Sequence, residues 1–255
     1  MKKVLILFGI LVLFSTTAVF ATSQIELIQA FVSFDQAFIP PLAITNQEKL
    51  KPSKKAMAIL NQSWSQFKTA YYDYSPADPD WKKDFDYADA QIQKANEIVN
   101  SGKNLMGAHE ALESVRFQFM QMRKRNQIDY YVDYLTEFHE YMEAIFHAGQ
   151  DSDAESLTAD DINELKNQYE EAARLWQKVS TMPFDKTLYG LSDEKFSQMK
   201  ELTVKETEAL NQLKEAIDAK DNPRILNAAM GIKPNYAQLY KLFGNFERIQ
   251  KGSSS

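Results

Sequence analysis

Apolar residues recur every three or four positions along most of the chain, which is the spacing of an α-helix that packs with one face. Two neighbouring segments show this most clearly: Leu105, Ala108, Leu112, Val115, Phe119 and Met122, then Ile128, Tyr131, Leu135, Phe138, Met142 and Ile145. With breaks at proline, glycine and capping residues, the pattern predicts eight helices. They are expected at about 24–41, 53–74, 80–100, 104–123, 129–148, 158–180, 192–220 and 223–248. Thr158 and Asp161 are predicted to form a capping box at the start of the sixth helix.

The predicted fold class is all-α, an antiparallel helical bundle. A faint internal repeat suggests two related four-helix bundles. Trp64 and Trp176 each close an alanine-rich stretch, and Val115-Arg116-Phe117 resembles Ile232-Lys233-Pro234. An acidic stretch at 149–160 is the predicted linker. The sequence therefore predicts a first bundle over 22–149, which would hold any site, and a second over 150–255.

The N-terminus has the pattern of an export signal. Met1-Lys2-Lys3 is basic, the run from Val4 to Phe14 is apolar, and Val19-Phe20-Ala21 fits a signal-peptidase site. Residues 1–21 are therefore predicted to be a signal peptide, with an uncleaved anchor as the alternative. We expect a periplasmic or secreted protein that has no membrane contact once the signal is removed.

Composition narrows the partners further. The chain has no cysteine, so an exported form would be stabilised by packing and not by disulfides. The formal net charge is −6, and loss of two signal-peptide lysines takes it from −6 to −8. This acidic balance argues against nucleic acid as a partner. A metal ion or a partner protein stays open.

One five-residue pattern, His-Glu-x-x-Glu, occurs twice, at 109–113 and at 139–143. The chain has three histidines, and two of them begin these motifs. Histidine and glutamate four residues apart share one face of a helix, so each motif is a potential two-ligand chelate for a metal ion. The candidate metal ligands are His109, Glu113, His139 and Glu143, with His147 and Met106 peripheral.

Heptad positions place both motifs on the same flank of their helices. A helical hairpin centred on residue 126 would set His109 level with Glu143, and Glu113 level with His139. Two imidazoles and two carboxylates suit zinc, copper(II), iron or manganese. A b-type haem stays an alternative, and the plain alternative is two ion pairs that merely stabilise their helices.

Gly107-Ala108-His109-Glu110-Ala111-Leu112-Glu113 resembles the Gly-x-His-x-x-Glu signature of imelysin-type periplasmic proteins. That family consists of two four-helix bundles and is associated with iron uptake. The resemblance therefore implies a periplasmic role with a metal. In this chain Leu112 stands at the motif's glutamate position and Glu113 follows one residue later.

These patterns lead to a functional expectation. We expect an exported helical-bundle protein that binds a transition-metal ion through the paired motifs. The alternative is a structural or interaction module without a metal. Catalysis is less expected, because Glu110 and Glu140, the candidate bases, are predicted to point to solvent.

Overall fold

Nine helices make up the part of the chain that the structure describes. This is a computed structural model covering residues 2–75 and 77–250, with side chains for 24–75 and 77–249. The helices are α1 (Lys2–Thr45), α2 (Leu50–Tyr71), α3 (Trp81–Ser101), α4 (Leu105–Arg125), α5 (Tyr131–Asp151), α6 (Ala159–Thr181), α7 (Asp193–Ala219), α8 (Asn222–Lys241) and α9 (Glu247–Gln250). No strand occurs in these residues, so the all-α prediction is confirmed. The signal peptide predicted at 1–21 lies outside the fully described residues.

The helices pack as two four-membered bundles. In the first, α1 packs on α2 and α4, and α3 packs on α2 and α4. In the second, α5 packs on α6 and α8, and α7 packs on α6 and α8. The bundles meet where α4 touches α5 and α1 touches α8. Their apolar side chains join into one continuous core.

The position of α5 differs from the predicted domain boundary at 149/150. Phe138, on the apolar stripe of α5, lies 4.8 Å from Trp176 of α6 and 5.7 Å from Tyr236 of α8, measured between ring centroids. The apolar face of α5 is thus buried against the second bundle. By contrast, α5 makes only sparse contact with α4. This packing moves the boundary between the bundles to the turn at 126–130, before α5.

The internal repeat is visible in equivalent contacts. The indole of Trp64 on α2 donates a hydrogen bond to Asp89 on α3, over 2.6 Å. The indole of Trp176 on α6 donates one to Thr207 on α7, over 2.9 Å. In each bundle, the second helix is therefore fastened to the third by a buried tryptophan.

Helix α1 continues through Pro40 and Pro41 and ends at Thr45, although the two prolines were predicted to end or kink it near 41. Its segment Gln24–Thr45 is long and apolar enough to cross a membrane. However, about two thirds of the apolar 18-residue stretch in this segment is buried inside the protein. Phe31, Phe34 and Phe38 all lie in the core. This segment therefore packs as the central helix of the first bundle.

Candidate metal-binding and polar site between the bundles

One cavity brings together all four residues predicted as metal ligands. It encloses about 70 Å³ and is lined by α1, α4, α5 and α8, so both bundles contribute to it. His109 and Glu113 enter it from α4, and His139 and Glu143 from α5. The two motifs thus meet at the contact between the bundles and not within one of them.

Helix α4 sets the direction of its two ligands through its buried seam. Leu105 and Leu112 are buried in the core, so His109 and Glu113 fall on the flank of the helix. Nδ1 of His109 lies 2.9 Å from the backbone carbonyl oxygen of Leu42 on α1. A carbonyl oxygen only accepts, so Nδ1 carries the proton and Nε2 is the free nitrogen of the neutral ring. That Nε2 lies 3.6 Å from Oε1 of Glu113.

Helix α5 holds its pair more tightly. Nε2 of His139 lies 3.1 Å from Oε1 of Glu143, and the imidazole lies 5.2 Å from the ring of Tyr236. Burial, and then the positive charge of Arg116, lower the pKa of His139. Partial burial acts to raise the pKa of Glu143, but hydrogen bonds from His139 and Lys233 outweigh it and bring that pKa to about 2.

Arg116 lies at the centre of the site, although the sequence analysis did not predict it there. The residue is only 5% exposed. Nη2 contacts Oε2 of Glu113 and lies 2.7 Å from Nδ1 of His139. A guanidinium can only donate, so Nδ1 of His139 accepts and its Nε2 carries the proton toward Glu143. His139 therefore pairs with the glutamate of its own helix, whereas Nε2 of His109 stays unprotonated beside Glu113, and Arg116 joins the two motifs across the bundles.

Lys233 provides a second cation from α8. Its ammonium donates to Oε2 of Glu143 over 2.8 Å. Arg116 and Lys233 occupy matching positions of the internal repeat, in the fourth helix of each bundle. The internal repeat in the sequence thus indicated that Arg116 and Lys233 face the same cavity.

Counting charges shows how the site is balanced. The cavity lining has three cations, Arg116, Lys233 and Lys241, and two carboxylates, Glu113 and Glu143. With the histidines neutral, 3 − 2 leaves a net charge of +1. Burial acts to lower the pKa of Arg116, but Glu113, Tyr236 and Tyr240 together outweigh burial and raise it. The site therefore keeps its own buried positive charge.

The peripheral candidates lie further out. His147 has a 57% exposed side chain and reaches Glu143 from the solvent side, at 3.5 Å. Met106 is 37% exposed and does not line the cavity. Among the described residues, no group of three or more histidine, aspartate or glutamate side chains converges as a preformed metal site.

A second buried polar cluster lies at the same contact between the bundles and was missed by sequence analysis. Arg123 of α4 donates to both oxygens of Asp133 on α5, over 2.8 and 2.5 Å. The hydroxyl of Tyr130 donates to Asp35 of α1 over 2.7 Å. Burial raises the pKa of Asp35 to about 6, against the lowering effect of Arg123.

Comparisons with family models, with curated proteins and with solved structures found no match. The resemblance to imelysin-type proteins therefore stays a prediction. Leu112, at the motif's glutamate position, is buried in the core, whereas Glu113 faces the cavity. The residue of this motif that faces the cavity is thus Glu113, one position after the glutamate of the signature.

Proposed function

We propose that this is an exported binding protein whose ligand is a transition-metal ion, held in the cavity between the bundles. His109 and Glu113 would be the first ligands, with His139 and Glu143 beside them. The orientation of His109 carries the proposal. Its Nδ1 is anchored on a backbone carbonyl, as in many metal-binding histidines, and Nε2 faces Glu113.

The spacing of this pair suits a metal. The 3.6 Å between Nε2 of His109 and Oε1 of Glu113 is close to the ligand-to-ligand distance of roughly 3.4 Å in a tetrahedral zinc site with bonds near 2.1 Å. Zinc, copper(II) and iron(II) all accept this combination of ligands. A b-type haem would need far more space than the roughly 70 Å³ of the cavity.

The internal cations limit how many ligands are available. Arg116 occupies Glu113 and Nδ1 of His139, and Lys233 occupies Glu143. A metal that used both motifs would have to displace Arg116 from between them. We therefore expect modest affinity in the wild type, and tighter binding when Arg116→Met removes the competing charge.

Carriage or sensing of the ion fits the site better than catalysis. A catalytic metal needs an open coordination position and a base beside it. Glu110 and Glu140, the candidate bases, are both exposed on the outer faces of their helices. Their placement supports a role as solvated helix charges.

The second candidate is a structural or interaction module without a metal, and one observation favours it. Nη2 of Arg116 already joins Glu113 to His139, so an internal cation ties the bundles together where an ion was expected. On this reading the two motifs fasten α4 to α5. Arg116→Met would then weaken the fold and create no metal site.

Thermal melting separates the two candidates. Metal-free mature protein is melted with and without Zn²⁺, Cu²⁺ and Fe²⁺, beside His109→Ala/His139→Ala. The matched control is His147→Ala, which removes an exposed histidine. A bound ion at a hundredfold excess over Kd stabilises by about 2.7 kcal/mol. We expect a shift in the wild type and the control that the double variant loses. The same shift in all three proteins would contradict the metal proposal.

A further inference from the structure

Two buried polar atoms beside the cavity have no hydrogen-bond partner in the part of the chain that the structure describes. They are Nε of Arg116 and the hydroxyl of Tyr236, and both residues line the cavity. Arg116 is 5% exposed and Tyr236 is 3% exposed. A buried donor without a partner costs about 1–3 kcal/mol, so these two atoms indicate a place where a hydrogen-bond acceptor is needed.

Arg123, in the same helix, shows how the Nε side of a buried guanidinium can be paired, although its Nη1 also has no hydrogen-bond partner among the described residues. Its Nε and Nη2 grip the two oxygens of Asp133 side by side, which is the forked geometry that guanidinium and carboxylate favour. At Arg116, Nη2 is shared between Glu113 and His139, and Nε remains free. Among the described residues, no carboxylate pairs with both Nε and Nη2 of Arg116.

The remaining lining favours an anion. Its net charge is +1, with Lys233 and Lys241 as further cations. The volume of about 70 Å³ suits a ligand of a few heavy atoms, since a single water needs roughly 10–15 Å³. A metal ion of charge +2 would raise the local charge to +3, so an anion would also offset a metal if one is bound.

We propose that this cavity is a binding site for a small oxyanion, a carboxylate or inorganic phosphate. Nε of Arg116 and the hydroxyl of Tyr236 donate to it, and Lys233 and Lys241 supply positive charge. The site does not depend on the proposed metal, because neither donor is a metal ligand. Titration with acetate and with inorganic phosphate distinguishes a carboxylate ligand from a phosphate ligand.

The test uses metal-free mature protein and calorimetric titration with acetate, bicarbonate and phosphate at constant ionic strength, with chloride as the reference. Tyr236→Phe removes one unpartnered hydroxyl and should fold, and Arg116→Lys keeps the charge but loses Nε. The matched controls are Tyr141→Phe and Arg174→Lys, neither of which lines the cavity.

We expect saturable binding of at least one oxyanion, an affinity at least tenfold weaker in Arg116→Lys, and one several-fold weaker in Tyr236→Phe. Both controls should bind like the wild type. Equal affinity in the wild type and in Tyr236→Phe and Arg116→Lys would overturn the proposal, as would no binding beyond that of chloride. Because no metal is present, failure here leaves the metal proposal untouched, and failure of metal binding leaves this one untouched.

Discussion

Nη2 of Arg116 donates a hydrogen bond to Nδ1 of His139 over 2.7 Å. The first residue belongs to the fourth helix of one bundle, and the second belongs to the first helix of the other. This contact fixes which nitrogen of His139 carries its proton, and it puts a permanent charge between the two predicted chelates. The predicted tautomer of His139 and the competition between Arg116 and a metal ion both follow from this contact.

The two cavity histidines should be opposite tautomers. His109 donates from Nδ1 to Leu42, whereas His139 accepts at Nδ1 from Arg116. Nitrogen chemical shifts of the imidazoles should therefore show an Nδ1–H ring for His109 and an Nε2–H ring for His139. The pKa of His139 should lie below its usual 6.5, because burial and Arg116 disfavour the imidazolium. An Nδ1–H form of His139 would contradict this geometry.

The Arg123–Asp133 pair should be essential to the contact between the bundles. Both side chains are buried, so removal of one partner leaves an uncompensated charge and costs roughly 3–5 kcal/mol. Arg123→Met should lower the free energy of unfolding by that amount in urea denaturation. Arg174→Met, at an exposed pair with Glu171, should change it by less than about 1 kcal/mol. If Arg123→Met and Arg174→Met lowered the free energy of unfolding by equally small amounts, the buried pair would contribute little to stability.

Glu206 should make the stability of the fold fall as the pH rises from about 4.5 to about 8. Its side chain is fully buried, and burial raises its pKa to about 8 against the lowering effect of Asn235 and the backbone of Tyr236. The folded protein then holds a proton that the unfolded chain releases near pH 4.5. Stability is therefore highest below that pH and falls as pH rises towards 8, by roughly 1.4 kcal/mol per unit.

Glu206→Gln removes this ionisation. Urea denaturation between pH 5 and pH 8 should show a flatter stability profile in the variant, and at pH 8 the variant should exceed the wild type by a few kcal/mol. Parallel profiles for the two proteins would show that Glu206 ionises as easily in the folded state as in the unfolded chain.

The placement of α5 predicts which fragment folds alone. A chain of residues 129–250 keeps α5 on α6 and α8 and retains the contacts of Phe138 with Trp176 and Tyr236. It should show a cooperative thermal transition by circular dichroism. A chain of residues 150–250 loses that helix, exposes Trp176 and should lack such a transition. Cooperative folding of the shorter chain would favour the boundary at 149/150.

The fold was largely predictable, because helix periodicity and caps are local signals. Thr158 forms the predicted capping box with Asp161. The partner of α5 was not predictable, because its apolar stripe would suit α4 as well as α6 and α8. Helices α4 and α5 make only sparse contact, yet Glu113 and His139 of the two motifs both contact Arg116. Arg116 reads as a solvated helix charge in the sequence, and only packing shows that it is buried.

Calorimetric titration of the metal-free protein with Zn²⁺ tests the central claim most directly, when His109→Ala is compared with His147→Ala. Nε2 of His109 is the nitrogen that the fold leaves free beside Glu113, whereas His147 stands in solvent. The account predicts one site per chain in the wild type and in His147→Ala, and binding at least tenfold weaker in His109→Ala. Equal Zn²⁺ affinity in all three proteins would contradict it.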